Sequence, residues 1–152
     1  MNITAQPISA SAFARFGTLI DSGITLPRLN FAVPVENHRE TARANLCIVR
    51  PPVVTLPFTV DMMERHVFST QTFFPLDTQR YLLVVAEGGD VPDLSTLAAF
   101  LVPGRQAISY ACGVWHIGMA VLDAPCGMAM LVHEDGEARD TDYVAVPPFI
   151  VV

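Results

Sequence analysis

Short apolar runs, separated by proline and glycine, dominate the chain after residue 46. The runs are rich in valine, isoleucine, phenylalanine and tyrosine, the residue types that strands favour, and most are too short for helices. The pattern predicts strands at 46–50, 59–64, 67–74, 80–87, 98–102, 106–111, 114–122, 128–133 and 143–146. Strands spaced this closely along a chain indicate an antiparallel fold.

The N-terminal segment carries the clearest helix signal. Ser9 or Ser11 can cap a short helix that ends before Gly17, because serine accepts hydrogen bonds from the free N–H groups of a first helical turn. A second helical turn is expected at 93–95, although a strand fits 96–102 equally well. The stretch 21–45 has no periodicity, and we expect it to be extended or loop-like.

Length and composition indicate one globular domain that covers residues 1–152. The chain is 51% hydrophobic and 16% charged, and its mean hydropathy of +0.41 excludes a disordered protein. We therefore predict an all-β domain closed as a sandwich or barrel, since closure removes exposed strand edges. A barrel of this size has a mouth wide enough for one small ligand.

The charged residues exclude several kinds of chemistry. All nine basic residues are arginine, so a Schiff-base lysine and the phosphate-binding lysine of a P-loop are ruled out. A net charge of −6 leaves no basic stripe for phosphates, and we expect no nucleic-acid partner. An anionic small molecule remains a possible substrate if a few arginines or a metal ion face it.

The cysteines and the apolar runs indicate the cellular compartment of the protein. Cys47, Cys112 and Cys126 match no zinc or redox spacing, and reduced thiols in a cytoplasmic protein are the simplest interpretation. The first residues have neither a basic nor an apolar signal region, and the longest purely apolar run, 81–86, is far too short to cross a membrane. We expect a cytoplasmic protein without a membrane partner.

Two short motifs carry the candidate chemistry: Glu64-x-His66-x4-Gln71 and Gly113-x-x-His116. Residues two apart in a strand share one face, so Glu64 and His66 point the same way and the residue between them points away. The spacing resembles the His-x-His-x4-Glu and Gly-x-x-His motifs of metal-binding cupin barrels, with Glu and Gln at two of the positions. One carboxylate, two imidazoles and an amide oxygen suit a divalent metal ion; a solvated strand face is the alternative.

Longer stretches resemble the ureidoglycolate lyase family, also called ureidoglycolate hydrolase. The matching stretches are Phe13-x-x-Phe16-Gly17-x-x-Ile20, Glu64-Arg65-His66-x4-Gln71-x-Phe73-x-Pro75, Pro92-Asp93-Leu94-Ser95-Thr96-Leu97-x-Ala99-Phe100 and Tyr110-x-x-Gly113-Val114-Trp115-His116. The resemblance implies a cupin-like antiparallel β-barrel (a double-stranded β-helix) that forms a homodimer. It also implies cleavage of (S)-ureidoglycolate to glyoxylate and urea in allantoin and purine catabolism, with nickel as a possible cofactor.

The resemblance suggests roles for the motif residues that depend on whether a metal is bound. With a metal, Glu64, His66, Gln71 and His116 are its candidate ligands, and Glu64 or a metal-activated group is the base. Without one, His66 is the base, oriented by Glu64, and His116 or Tyr110 gives a proton to the departing urea.

Substrate binding requires further residues. Arg50 is the first candidate for the substrate carboxylate, with Gln71 and Trp115 as additional substrate contacts. Ile117 departs from the family, which often has a second histidine after the Trp-His pair. Because one fold hosts many chemistries, another metal-dependent cupin enzyme, such as an oxygenase or isomerase, is an alternative. The departure at Ile117 leaves open a ligand-binding protein without activity. The apolar tail 147–152 suggests burial against a second copy or within the chain.

Overall fold

The computed structural model describes residues 1–21 and 25–152, and residues 22–24 of the predicted loop lie outside that description. The strands are β1 (Asn2–Ile3), β2 (Gln6–Pro7), β3 (Gly17–Asp21), β4 (Arg43–Val49), β5 (Phe58–Arg65), β6 (Gln71–Pro75), β7 (Arg80–Ala86), β8 (Ala98–Pro103), β9 (Gln106–Tyr110), β10 (Trp115–His116), β11 (Ala120–Leu122), β12 (Met128–Glu134) and β13 (Asp142–Val151). The helix α1 (Ala10–Phe13) and 3-10 turns at Leu94–Thr96 and Ala138–Asp140 complete the described elements.

The strands form two sheets. The larger has the order β1-β13-β5-β10-β7-β8-β2, with β11 also paired to β7, and the smaller has the order β3-β9-β6-β12-β4. Most pairs are antiparallel, while the short strands β1 and β2 pair in parallel with β13 and β8. The predicted all-β class is confirmed, and the two curled sheets are consistent with a cupin-like barrel.

One core cluster lies between the two sheets. Its buried side chains come from the inner faces of both sheets and from α1: Phe13, Phe16, Phe73, Tyr81, Leu83, Val85, Phe100, Val102, Ile108, Tyr110, Val114, Val121, Cys126 and Met128. Phe13 packs edge-on against Phe100, with ring centroids 6.0 Å apart. Because side chains alternate along a strand, this cluster takes every second residue of β7.

A second core cluster covers the opposite face of the larger sheet. It contains Ala5, Val60, Met63, Leu82, Val84, Ala86, Ala99, Trp115, Ile117, Ala120, Val146, Phe149 and Val151. The residues of β7 between Tyr81 and Ala86 are therefore buried on both faces of the sheet, which explains the unbroken apolar run in the sequence.

The helical predictions near residues 9 and 93 are confirmed. Ser9 caps α1 by accepting a hydrogen bond from the N–H of Ala12 at 3.2 Å. Asp93 caps the turn Leu94–Thr96 in the same way, through the N–H of Ser95 at 2.9 Å. The strand alternative for this region also holds in part, because β8 begins two residues after the turn.

One predicted strand is shortened at its start, and another is divided into two. The predicted strand 67–74 begins only at Gln71, because the preceding residues form a bend that bridges Asn37 to Ser69. The predicted strand 114–122 divides into β10 and β11, with Gly118 between them. The pairing register against β7 shifts by one residue across this gap, as at a β-bulge.

The C-terminal tail packs within the chain. β13 is longer than predicted and runs through Pro147 and Pro148, where its register against β5 shifts between Ala145 and Phe149. Prolines are tolerated in a sheet at such irregular positions because no ladder N–H is required there. Among the described residues, none of the helices has the length and hydrophobicity needed to cross a membrane.

Candidate active site

The centre of the site is a pair of residues on neighbouring strands. Glu64 of β5 and His116 of β10 are directly opposite in the antiparallel register. Their side chains meet, with His116 Nε2 3.5 Å from Glu64 Oε1. The other ring nitrogen, Nδ1, lies 2.9 Å from the carbonyl oxygen of Val114. His116 Nδ1 therefore has a hydrogen-bond acceptor, whereas Nε2 faces the Glu64 carboxylate without making a hydrogen bond.

His66 follows the end of β5 and joins this pair. Its ring lies 5.7 Å from the ring of His116, nearly parallel to it. His66 Nδ1 is 3.2 Å from the carbonyl oxygen of Asp140, so Nδ1 carries the proton and donates it. Its backbone carbonyl accepts the N–H of Gly113 at 2.8 Å, and the positive φ of Gly113, +77°, permits the turn that leads into β10.

The three side chains offer a set of metal ligands. The ligand atoms of Glu64, His66 and His116 all lie within 4.8 Å of one another. Nε2 of both histidines is buried without a hydrogen-bond partner, and so is Oε1 of Gln71. Buried polar atoms are nearly always partnered, and imidazole nitrogens with carboxylate and amide oxygens are ligands for divalent ions. The residues therefore fit the predicted metal site.

Tyr110 packs against the back of the site. Its ring stacks on His116, with centroids 4.1 Å apart and planes 18° apart, and its hydroxyl is buried without a hydrogen-bond partner. Burial, followed by the charges of Tyr81 and Glu64, raises the pKa of Tyr110 well above its usual value. The hydroxyl consequently keeps its proton at every physiological pH.

A cavity of about 210 Å³ opens beside the site and is lined by Arg50, Glu64 and Gln71 with Val49, Pro51, Phe73, Met119 and Met130. Pockets for drug-sized ligands span roughly 300–1,000 Å³, so this volume suits a small metabolite. Of the clustered residues Glu64, His66 and His116, only Glu64 is among those that line the cavity. Larger cavities of about 310 and 510 Å³ have no histidine among their described lining residues.

The electrostatic environment lowers the pKa of both His66 and Glu64. Burial and then the charge of His116 lower the pKa of His66 to about 4, against a smaller opposing effect of Glu64. Burial raises the pKa of Glu64, but contact with His116 and the charge of His66 outweigh it, so the net pKa is below its usual value. At neutral pH His66 is neutral and Glu64 is ionised.

Trp115 and Ile117 are not brought to this group. Successive residues of a strand face opposite sides, and both side chains belong to the core cluster on the other face of the larger sheet. The guanidinium carbon of Arg65 lies 4.7 Å from the ring centroid of Trp115. The indole N–H of Trp115 donates a 3.0 Å hydrogen bond to the carbonyl oxygen of Gly89. The departure at Ile117 therefore lies away from the histidines.

Two features, one inside the site and one outside it, were not predicted from the sequence. The carbonyl oxygen of Asp140 holds His66, but any residue type supplies such an oxygen, so no pattern marks it. A second group of possible ligands, Glu36, His38 and Cys112, also lies within 4.8 Å. It is much more exposed, with His38 Nε2 already 3.1 Å from Glu36 Oε2.

Fold and site together define an all-β enzyme with a buried histidine and carboxylate centre at the end of a small cavity. The family model described as ureidoglycolate lyase matches residues 1–152, and the chain belongs to that family. The family resemblance predicted from the motifs is confirmed.

Individual relatives support the same assignment. A ureidoglycolate lyase of Pseudomonas syringae pv. syringae is 31% identical over 97% of this chain and 92% of its own length. One of Burkholderia mallei is 32% identical over 95% of this chain and 89% of its own length. One of Pseudomonas fluorescens is 37% identical over 75% of this chain and 74% of its own length.

Proposed function

We propose that this protein cleaves (S)-ureidoglycolate to glyoxylate and urea in allantoin and purine catabolism. The single observation that carries the proposal is the convergence of Glu64, His66 and His116 next to a small cavity, in a chain that belongs to the ureidoglycolate lyase family. The enzyme class is that of carbon–nitrogen lyases.

The reaction requires two proton transfers at one carbon. The substrate carries a hydroxyl, a carboxylate and a ureido nitrogen on the same carbon. The hydroxyl loses its proton while the carbonyl of glyoxylate forms, and the carbon–nitrogen bond breaks as the nitrogen gains a proton to leave as urea. A positioned base and a positioned acid contribute about 10²–10⁴-fold each to such a step, and no covalent intermediate is required.

His66 is the proposed base. Its Nδ1–H is engaged by Asp140, so the lone pair of the buried Nε2 is free to accept the hydroxyl proton. Its depressed pKa keeps the ring neutral at the pH of a cell. The reacting carbon is proposed to sit at the inner end of the cavity, where the Glu64 carboxylate meets the two histidine rings.

His116 is the proposed proton donor to the departing nitrogen. The Val114 carbonyl oxygen lies 2.9 Å from Nδ1, and Nε2 lies 3.5 Å from the ionised Glu64 carboxylate, which lines the cavity. The stacked Tyr110 fixes the ring plane, and its protonated hydroxyl is the alternative donor. A proton acceptor and a proton donor on two neighbouring histidines are what the two proton transfers require.

Arg50 and Gln71 are the proposed substrate-binding residues. Both line the cavity together with Glu64. Arg50 has no ion-pair partner among the described residues, and a guanidinium can bind a carboxylate through two parallel hydrogen bonds. The amide of Gln71 is suited to the polar ureido group. Trp115 has a structural role on the other face of the sheet.

A divalent metal ion, with nickel as the proposed ion, fits the same residues. Glu64, His66 and His116 would hold it, with the amide oxygen of Gln71 as a fourth ligand. A bound ion would supply Lewis-acid chemistry, because it lowers the pKa of a coordinated hydroxyl. In that form of the enzyme the histidines would act only as ligands, and Glu64, which lines the cavity, would serve as the base through the carboxylate oxygen that does not bind the ion.

The test is glyoxylate release from (S)-ureidoglycolate, measured above the spontaneous background with chelated protein and after addition of nickel or manganese. We expect His66→Ala to lower kcat/KM by about 10²–10⁴-fold while the protein remains folded. His38→Gln, a change at an exposed histidine outside the site, is the matched control and should retain activity. No glyoxylate above background under any metal condition would refute the proposed function.

The proposed assembly is a cytoplasmic homodimer. The three cysteines are free thiols, as expected in a reducing compartment. β4 is an edge strand of the smaller sheet, and its Leu46 and Ile48 are 74% and 59% exposed, which favours pairing with a second copy. A molar mass near 16.5 kDa in solution, rather than twice that value, would rule out the dimer.

A further inference from the structure

A buried ion-pair group lies directly behind the site. The Arg39 side chain is 9% exposed and pairs with Asp135 and Asp140, whose side chains are 9% and 10% exposed. Arg39 reaches Asp135 Oδ1 at 3.4 Å and makes a shorter contact with Asp140 Oδ1. Removing charges from water is costly, so such a group persists only where its partners compensate each charge.

The Asp140 carboxylate also closes the turn in which it lies. Besides Arg39, it accepts the backbone N–H of Asp135 at 3.1 Å and that of Gly136 at 2.8 Å. Gly136 has a φ of +82°, a conformation that favours glycine and that this tight turn requires. The Asp140 carboxylate therefore joins two backbone N–H groups of the turn to the Arg39 guanidinium.

The same turn presents two oxygens to His66. The carbonyl oxygen of Asp140 lies 3.2 Å from His66 Nδ1, and the Thr141 hydroxyl lies 3.4 Å from the same atom. The hydrogen bond at one ring nitrogen decides which nitrogen of a neutral histidine carries the proton. A proton on Nδ1 leaves the buried Nε2 as the lone pair that faces Glu64 and His116.

We propose that Arg39 is a positioning residue that, through the Asp140 turn, fixes the tautomer and the ring orientation of His66. This inference rests on the proposed function, in which His66 Nε2 accepts the substrate proton. Arg39 is not among the residues that line the cavity. Its loss would leave the Asp140 carboxylate without a counter-ion, since Arg139 pairs with Asp135 and not with Asp140, and the turn would have to open to hydrate that carboxylate. The carbonyl of Asp140 would then move away from His66.

The experiment compares the wild type with Arg39→Met, Arg39→Lys and Arg139→Gln in chelated protein. Arg139→Gln is the matched control, since this exposed arginine pairs with Asp135 and the Thr41 hydroxyl rather than with Asp140. Nitrogen-15 NMR of the histidine rings reports the tautomer of His66 without any substrate. Steady-state kinetics report kcat and KM separately, and thermal unfolding checks that each variant is folded.

We expect the wild type and Arg139→Gln to hold His66 with the proton on Nδ1, and Arg39→Met to show a mixture of tautomers. We expect Arg39→Met to lower kcat about 10- to 100-fold with KM changed less than about threefold, and Arg39→Lys to recover part of that loss. A His66 ring that keeps its tautomer in folded Arg39→Met would overturn the proposal.

Two further results also bear on the proposal. If Arg39→Met does not fold, Asp140→Asn replaces it, because the amide keeps an acceptor oxygen for the turn but loses the ion pair with Arg39. A fixed Nδ1–H tautomer in Asp140→Asn would equally overturn the proposal. If wild-type protein has no lyase activity, the proposed function fails, whereas the tautomer measurement still decides whether Arg39 positions His66.

Discussion

The two faces of β5 and β10 have the same backbone but opposite chemistry. On one face, Glu64 and His116 meet beside a cavity, with buried nitrogen atoms that lack partners. On the other, Arg65 lies over Trp115, and both use carbonyl or carboxylate partners supplied by the chain. The first face leaves hydrogen-bonding capacity unused and the second uses it.

This difference indicates how a short strand pair divides its roles. Unused hydrogen-bonding capacity in a buried position is costly for stability, and it persists where function needs it. The face with Trp115 instead packs an aromatic ring that is 1% exposed against the second core cluster. Variants on the two faces should therefore separate loss of activity from loss of stability.

The largest effect is expected from His116→Gln, which removes the proposed proton donor and retains much of the side-chain volume. We expect kcat/KM to fall by about 10²–10⁴-fold, measured by glyoxylate release, with a small change in unfolding temperature. Trp115→Phe on the opposite face is the control and should keep most of the activity. Equal losses of activity in both variants would contradict the division between the faces.

Trp115→Ala should have the converse effect. Removing this buried ring leaves a cavity in the second core cluster and deletes the hydrogen bond to Gly89, so we expect the free energy of unfolding to fall by about 3–5 kcal/mol. Chemical denaturation measures this loss. Activity per folded molecule should remain within about threefold of wild type, and a much larger loss would place Trp115 in the catalytic site.

His66 should make the stability of metal-free protein depend on pH. Its pKa is 6.5 in the unfolded chain and about 4 in the folded protein, so the unfolded chain binds the proton first. Its contribution is therefore complete above about pH 6.5 and is lost as the pH falls through 4, by about 3 kcal/mol. Denaturation of wild type and His66→Gln across this range isolates the contribution, and identical pH profiles would show that His66 does not titrate in this way.

The smallest effect is expected from Ile117→His, which restores the second histidine often found in the family. Ile117 is buried in the second core cluster, so the imidazole would enter an apolar environment and cost about 1–3 kcal/mol of stability. We expect no gain in glyoxylate release. Ile117→Val, at about 0.5–1.5 kcal/mol, is the size control, and higher activity in Ile117→His would mean that this position reaches the active site.

The sequence predicted the members of the central group because strand geometry is regular. A two-residue spacing places Glu64 and His66 on one face, and the Gly-x-x-His motif identified His116, which the register then places opposite Glu64. The same alternation separates Trp115 from His116, although Trp115 was predicted as a substrate contact. Proximity in the sequence favoured Trp115, whereas the period of the strand directs its side chain to the other face.

The contacts around His66 could not be predicted, for a different reason. Arg39 lies in a stretch without periodicity, and its partner Asp140 is 101 residues away along the chain. The atom of Asp140 that holds His66 is a backbone oxygen, which any residue type would supply.

The length of β13 was also underestimated, because Pro147 and Pro148 indicate the end of a strand unless a register shift accommodates them.

The burial of β7 on both sides has a consequence for how the protein unfolds. Residues Tyr81 to Ala86 belong alternately to the two core clusters, so neither cluster can be exposed without disrupting the strand they share. The backbone amides of β7 should exchange with deuterium only when the whole chain opens, whereas those of the short outer strands β1 and β2 should exchange through local fraying. A destabilising substitution on either face of the larger sheet should therefore lower the free energy of unfolding of the whole protein.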